Sequence, residues 1–556
     1  MDWANLILSF VGGFGLFMFG MEYMGDGLQK AAGSRMKNIL GALTKNRLLG
    51  VLVGAGVTAL IQSSSATTVM VVGFVNVGLL NLRQAVGVIM GANIGTTITS
   101  WIVALGEWTS FLKPSVLAPI FIVVGVVMIM FVKSAQIKSI GQILFGFGSL
   151  FLGLEMMSDA AKPLSELEGV RNLFVVLGSS PLLGIATGAI VTAIIQSSSA
   201  SVGILQALAL AGLVPWGSAI YIILGQNIGT CITAILSSIG ANINAKRAAV
   251  IHFLFNFIGS IIFGIIAIII FNVWLPNLGS DLISVTQISI VHSVFNILNT
   301  ILLFPFGNGL VHLAETLIKP RGGDKQDHND LLDERLFETP HVAVQTAITE
   351  ALRMGEIACW NVQIAVEALF EKNEEKVKEV FEKEREINDL QQKLNNYLVK
   401  LSQLSIAEVD QIKVAELFHI VSDIERVGDH ADNIAELAIN LKEKDLDFSD
   451  IAKKELEAIT DIALQCFAKA LTAYEKQDKD MAQEAVPLEA QVDRLEEKLR
   501  SRHMKRLTNE ECDPYAGIIY LDMVSNVERI SDHAHNIAQI LLDETRTFFS
   551  DDNDQS

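Results

Sequence analysis

The chain has 556 residues, 51% hydrophobic and 19% charged, with a mean hydropathy of +0.41. Soluble domains carry about 25% charged residues, so this composition points to a membrane protein. Four scattered cysteines, Cys231, Cys359, Cys466 and Cys512, are too few for a disulfide framework, and 42 basic against 61 acidic residues argue against nucleic acid, which needs a basic surface.

The charge is unevenly divided. Residues 1–318 hold 13 Lys and Arg against 10 Asp and Glu, whereas the remainder holds 29 against 51. The first part reads as a membrane domain and the second as an acidic helical one. The polar stretch 319–340 between them, with Pro320, Gly322 and Gly323, reads as a linker.

Apolar stretches near 3–24, 114–132, 139–157, 248–272 and 288–313 approach the ~20 residues that span a bilayer as helix. Segments 84–105 and 217–238 are long enough but carry polar interruptions. The first stretch does not read as a signal peptide, because Asp2 and no basic residue precede it. Segments 48–80 and 182–214 do not fit single spans: 33 residues of helix would run about 50 Å against a hydrocarbon core of about 30 Å. Gln-Ser-Ser-Ser breaks each in the middle. Two re-entrant hairpins with polar tips inside the membrane fit better, provided the tips line a cavity or are buried in protein.

Basic residues orient the set. With the N-terminus outside, the inside loops hold Lys30, Arg35, Lys37, Lys45, Arg47, Arg83, Lys133, Lys138, Lys246, Arg247, Lys319 and Arg321, and the outside loops only Lys113, Lys162 and Arg171. The acidic domain is then cytoplasmic.

The membrane part is duplicated. Gln62-Ser63-Ser64-Ser65-Ala66 is answered by Gln196-Ser197-Ser198-Ser199-Ala200, and Gly91-Ala92-Asn93-Ile94-Gly95-Thr96 by Gly225-Gln226-Asn227-Ile228-Gly229-Thr230, both at an offset of 134 residues. Gly54/Gly188, Thr58/Thr192 and Thr99/Thr233 keep that offset; Glu22/Glu155 and Asp26/Asp159 are one residue out of step. Each copy contains one span, a hairpin and two further spans. An odd number of crossings inverts the second copy, the architecture of secondary transporters.

The serine runs supply N-caps, read as Ser64 or Ser65 and Ser198 or Ser199, so free N–H groups and a positive helix end face the midplane and favour an anion. The first arm of each hairpin ends at Gln62 or Gln196, where unpaired carbonyls and hydroxyls suit Na⁺; Thr67 and Thr68 add hydroxyls in copy one, and Ser201 in copy two. Asn93 and Asn227 are costly in lipid and read as site-lining, while the Gly-x-x-x-Gly pairs around them read as packing faces. Thr96 and Thr230 join the sodium-site candidates. No Lys or Arg reads as deep in the membrane, and the tips and the Asn segments carry no Asp or Glu, so a cation there would lack a fixed carboxylate. Anion and cation would then each need the other, which is what coupled symport requires. His252, His292, Asn256 and Asn296 in the later spans read first as packing residues and second as a proton relay.

The duplicated motifs resemble those of the type II sodium–phosphate cotransporters, over roughly residues 5–313. That resemblance implies that Gln62–Ser65 and Gln196–Ser199 line phosphate and sodium sites. The appended domain resembles the bacterial branch, and so implies a bacterial inner membrane.

In the tail, Val414, Leu417, Val421, Ile424, Gly428, Ala431, Ala435 and Ala438 keep a helical 3/4 spacing beside the acidic stripe Glu425, Asp429, Asp432, Glu436. Glu425-Arg-Val-Gly-Asp429-His-Ala-Asp-Asn433 is answered by Glu528-Arg-Ile-Ser-Asp532-His-Ala-His-Asn536, and Glu384-Arg-Glu-Ile-Asn388 by Glu489-Ala-Gln-Val-Asp493. Two three-helix bundles follow, near 341–442 and 449–547. The tail resembles the PhoU family of phosphate-response regulators, in which Glu-x-x-x-Asp pairs bind metal clusters. By that resemblance Glu425, Asp429, Glu528 and Asp532 are metal ligands, with Glu384, Asn388, Glu489 and Asp493 beside them; without it they read as a solvated acidic face.

The expected protein is therefore all-α: a multi-span transporter with two inverted repeats (about 5–132 and 139–272) and re-entrant hairpins, an extra span at 288–313, a linker at 319–340, a PhoU-like pair of bundles at 341–547 and a disordered tail at 548–556. Its expected function is sodium-coupled phosphate import, with Na⁺ as coupling ion and divalent or trivalent metal in the tail. The alternatives are a phosphate sensor or scaffold docking a signalling kinase, and an exporter of phosphate or another oxyanion. A homodimer is a further expectation; an enzyme is not, since no nucleophile–base pair or nucleotide loop is present.

Overall fold

The computed structural model describes residues 3–32, 46–108, 114–275, 277–319, 331–404 and 406–543. The expected tail at 548–556, residues 320–330 of the expected linker, and the loop residues Arg35, Lys37, Lys45, Lys113 and Arg321 lie outside them. The described residues are almost entirely helical; their one β feature outside named strands is a single bridge between Pro215 and Leu282. They form two compact units, Met1–Thr339 and Pro340–Ser556.

In the first unit, repeat one comprises α1 (Trp3–Ala32), the hairpin α2 (Arg47–Ile61) and α3 (Ser64–Asn76), α4 (Leu82–Trp108) and α5 (Pro114–Phe131). Repeat two comprises α6 (Ala135–Ala161), α7 (Glu168–Ser179), the hairpin α8 (Pro181–Ile195) and α9 (Ser198–Leu210), α10 (Trp216–Gly229) with α11 (Cys231–Ser237), and α12 (Ile243–Ile269). Among the described residues six helices are long and apolar enough to cross a membrane, and the hairpin arms are too short. This membrane protein exposes large side chains such as Leu8, Phe131, Leu182 and Ile194. An aqueous surface would not favour them; lipid does.

The stretch 288–313 is not one span. It breaks into α13 (Val285–Leu303) and α14 (Gly307–Leu317) around Pro305, whose missing N–H and ring clash interrupt a helix. Copy two differs from copy one in the same way: α4 is continuous through its Asn-Ile-Gly-Thr motif, while α10 and α11 divide at Thr230.

Glycines set the helix pairings. α1 and α6, the equivalent first helices of the repeats, lie backbone to backbone: a Cβ on Gly13 would come within 2.9 Å of Gly153 O, and one on Gly146 within 2.6 Å of Gly20 O. A Cβ on Gly91 would collide with Val51 of α2, and one on Gly225 with Ile185 of α8. The Gly-x-x-x-Gly pairs are packing faces, and they press each Asn segment onto the outgoing arm of its own hairpin.

The second unit contains α15 (Pro340–Glu371), α16 (Glu374–Ser402) and α17 (Glu408–Glu443), then α18 (Asp450–Lys476), the one-turn α19 (Lys479–Gln483), α20 (Val486–Thr508) and α21 (Pro514–Leu542). The seam foreseen on α17 is buried throughout, from Val414 and Leu417 to Ala435 and Ala438.

Candidate functional site

The two hairpin tips share one conformation. Gln62 (φ 61°, ψ 18°) and Gln196 (φ 59°, ψ 18°) are left-handed, and each N–H still bonds its own helix, to Thr58 O at 2.8 Å and to Thr192 O at 2.7 Å. A left-handed residue lets the chain reverse while closing the last turn. Next, Ser63 and Ser197 are extended, and their Oγ atoms accept from Ala66 N and Ala200 N at 3.1 and 3.2 Å. The N-caps are therefore the first serine of each run, not the second or third as expected. The glutamine takes up the whole turn, so the first serine already has the extended backbone that a cap requires.

The tips meet. Ser64 Oγ lies 3.3 Å from Ser198 Oγ, and Ser65 Oγ donates to Gln196 O at 3.1 Å. Thr99 Oγ1 donates to Gln62 Oε1 at 3.0 Å and accepts from Ser199 Oγ at 3.2 Å, so α4 ties both tips together. Between them opens a cavity of about 330 Å³ lined by Gln62–Ala66, Gln196–Ser199 and one face of α1.

That face carries Glu22, Asp26 and Gln29. It reaches the tip because Gly25 lets α1 approach until a Cβ there would stand 2.8 Å from Ile61 O. The expected cavity without carboxylates is thus corrected: the tips have none, but α1 brings two. The repeat pairs Glu22/Glu155 and Asp26/Asp159 were a signal. They did not show that only one copy points inward; Asp159 is exposed in an ion pair with Lys162 at 2.6 Å.

The other candidates bond back to their own helices. Asn93 and Asn227 donate to Ile89 O and Ile223 O at 2.8 Å. Thr96 bonds Ala92 O at 3.0 Å and Thr230 bonds Gln226 O at 2.8 Å; Thr67 and Thr68 bond Ser63 O and Ser65 O at 3.0 and 3.1 Å. None of these six is among the residues described as lining the cavity. His252 and His292, and Asn256 and Asn296, are fully buried, and the Oδ1 atoms of both asparagines lack a partner.

In the second unit, Glu384 of α16 is buried against Gly428 of α17. Burial, then the charges of Asp429, Asp432 and Glu425, push its carboxyl up to about 8. Burial and then Asp429 raise Glu425 as well. Asn388 lies one turn along α16, exposed. In the second bundle, ligand atoms of Glu489, Asp493 and Asp532 lie within 4.8 Å of one another. Glu528 and Asp532 are raised by burial and then by neighbouring carboxylates. A buried carboxylate among like charges fits a bound cation, and all-oxygen donors fit a hard one.

Helix ends that meet across a duplication, inside a unit of membrane-length helices, define the class: a duplicated membrane carrier with a separate helical domain. The chain belongs to the Na⁺/Pi-cotransporter family, matched over residues 16–159 and 164–284, and carries a PhoU domain, matched over 351–438 and 456–541. It is a transporter-family protein and not an enzyme. It is 25% identical over 543 residues to YjbB of Escherichia coli (strain K12), whose name refers to inorganic phosphate export; 97% of this chain and 98% of that one are covered. The uncharacterized protein YqeW of Bacillus subtilis (strain 168) is 29% identical over 321 residues, 56% of this chain and 98% of its own. The sodium-dependent phosphate transport protein 2A of Ovis aries is 40% identical over 111 residues, 19% of this chain and 17% of that one.

Proposed function

We propose that the protein moves inorganic phosphate across the membrane together with Na⁺, inward down the Na⁺ gradient, and that the PhoU unit regulates it. The observation that carries this reading is the tip-to-tip cavity, with two capped helix starts on one wall and Glu22 and Asp26 on the other. Backbone N–H groups and serine hydroxyls at the start of α3 and α9 donate to phosphate oxygens. No Lys or Arg is among the residues described as lining the cavity, so the phosphate charge needs a mobile partner. Na⁺ held by Gln62, Gln196, the serine hydroxyls and the α1 carboxylates supplies it, and each ion then lowers the cost of the other. Asn93, Asn227, Thr67, Thr68, Thr96 and Thr230 support the tips from behind. The basic loop residues favour the N-terminus outside and the PhoU unit in the cytoplasm. In that unit Glu384, Asn388, Glu425 and Asp429, and Glu489, Asp493, Glu528 and Asp532, would hold metal ions whose positive charge offsets the crowded carboxylates.

A second reading, export, is favoured by the full-length similarity to YjbB. Labelled phosphate flux in proteoliposomes, with Na⁺ or K⁺ gradients imposed in each direction, separates the two. Inward flux that needs Na⁺ supports symport, outward flux indifferent to Na⁺ supports export, and no flux in any gradient, from the parent and from the Arg335→Ala variant described below alike, sinks both.

A further inference from the structure

Residues 331–339 have the composition of a linker, yet they are packed onto the first unit. Asp333 and Leu336 are buried, and the 3₁₀ turn Glu334–Glu338 lies along α3, the returning arm of the first hairpin. Gly73 of α3 leaves the room: a Cβ there would stand 3.1 Å from Leu336 Cδ2 and 3.4 Å from Arg335 Cβ. Asn76, the last residue of α3, donates from Nδ2 to Asp333 Oδ2 at 2.8 Å.

Arg335 carries the contact across to repeat two. It is paired with Asp333 at 2.8 Å, and its guanidinium donates to Ser237 O and, at 3.2 Å, to Ile239 O. These carbonyls close α11, where a helix end leaves acceptors without intrahelical partners. A planar guanidinium matches such a cluster of acceptors. Asn76 also accepts from Asn242 N at 2.7 Å, and Asn242 caps the start of α12. One short segment thus grips the end of hairpin one and the α11–α12 turn of repeat two together.

Carriers built from repeats work by moving one repeat against the other. A bond network that spans both at one point opposes that movement. We propose that residues 331–339 are a brake on transport: a strap, anchored by Asp333, Arg335 and Leu336, that must let go of α3 or of the α11–α12 turn before the repeats can move. The proposal rests on the transport reading above. Thr339 is followed directly by Pro340, the first residue of the PhoU unit, so any displacement of the chain at that point acts on the strap first.

The test uses the full-length protein in proteoliposomes, with labelled phosphate flux under a Na⁺ gradient. Arg335→Ala is expected to speed flux about fivefold, the rate equivalent of about 1 kcal/mol. A second variant closes the strap instead of opening it: Gly73→Cys with Leu336→Cys, whose flux is expected to fall on oxidation and return on reduction, while the parent protein is indifferent to both treatments. If Arg335→Ala does not fold, the cysteine pair decides. Flux that is the same with the strap cut, locked or intact overturns the brake and leaves the transporter standing. No flux in any variant, strap released included, overturns the transport reading itself. A silent parent with an active Arg335→Ala supports both.

Discussion

In the hairpin cavity the donors are backbone N–H groups at the starts of α3 and α9, capped by Ser63 and Ser197. In the helical bundles the proposed ligand groups are side-chain carboxylates spaced four apart, Glu425 with Asp429 and Glu528 with Asp532. The helix starts of the cavity and the carboxylates of the bundles are both duplicated, and these two sets of groups offer opposite charge. A chain can present positive potential without spending a charged residue, because helix starts supply it. The bundles instead crowd real carboxylates, and burial first and mutual repulsion second are seen in the upward shifts of Glu384, Glu425 and Asp532. Conformation therefore makes the first site and composition the second.

Substitutions can break this contrast, and the largest effect is expected where cap and charge are separated. Ser63→Asp keeps an N-cap, since Asp caps as well as Ser, but puts a fixed negative charge where phosphate would sit; transport should fall to background while thermal stability holds. Ser63→Asn keeps cap and neutrality, and should keep transport. If both variants transport alike, phosphate does not bind at the tip. Next come Ser64→Ala and Ser198→Ala. A hydrogen bond to a charged group is worth about 1.5–3 kcal/mol, so each should lower phosphate uptake roughly tenfold or more, and by similar factors if the two tips act as equals. A silent member of the pair would assign phosphate to one repeat alone. Asp26→Asn should leave phosphate binding at saturating Na⁺ and raise the Na⁺ concentration for half-maximal uptake several-fold, about 1 kcal/mol of cation binding; an unchanged Na⁺ dependence would remove α1 from the cation site.

How far these sites could be read from the sequence follows the same contrast. Glu425 and Asp429 advertise themselves, because carboxylates at helical spacing beside a buried seam are visible as letters. The hairpins were legible from a different cue: 33 apolar residues too long for one span, interrupted by Gln-Ser-Ser-Ser. The capping serine was not, because it depends on the left-handed Gln62 and Gln196, a conformation a non-glycine residue adopts only when its surroundings hold it there. Glu22 and Asp26 join the cavity only through the close approach at Gly25, a tertiary contact that no local pattern encodes. The strap was hidden for a third reason. Its charges, Asp333, Glu334 and Arg335, look solvated, but Leu336 meets the bare backbone of Gly73, 263 positions away in the chain numbering.

The bundle carboxylates give a pH test of their half of the contrast. Glu384 titrates near 8 in the folded, metal-free protein against about 4.5 ordinarily. The folded state then holds a proton that the unfolded chain has lost, so the Glu384 contribution falls as pH rises from about 4.5 to about 8. Glu384→Gln should remove that loss, making the metal-free protein more stable than the parent at pH 8 and little different at pH 4. A divalent ion should stabilise the parent most at the alkaline end and the variant hardly at all. Thermal melts with chelator and with added metal at both pH values check this; a parent no less stable at pH 8 than its variant would show that the crowding is relieved another way.

The smallest expected effect lies where the two bundles interlock and are almost, but not quite, alike. His430 Nδ1 meets Asn526 Oδ1 at 2.9 Å, and His533 Nδ1 meets Asp423 Oδ1 at 2.9 Å, with the two rings stacked 5.6 Å apart. Burial lowers the His430 imidazole below its ordinary 6.5, and the hydrogen bond His430 donates to Asn526 Oδ1 offsets this only in part. A base lowered in the fold binds its proton more readily when unfolded, so this pair loses stability as pH falls below about 6.5. Asn526→Asp would give His430 the carboxylate that His533 already has and should reduce that loss by about 1 kcal/mol or less, the scale of a half-exposed ion pair. Read as the difference between variant and parent at each pH, the Glu384 contribution cancels, and what remains is the cost of an amide at Asn526 where the matching position, Asp423, holds a carboxylate. A difference that does not grow on acidification would mean that His430 stays neutral for reasons other than its missing counter-charge.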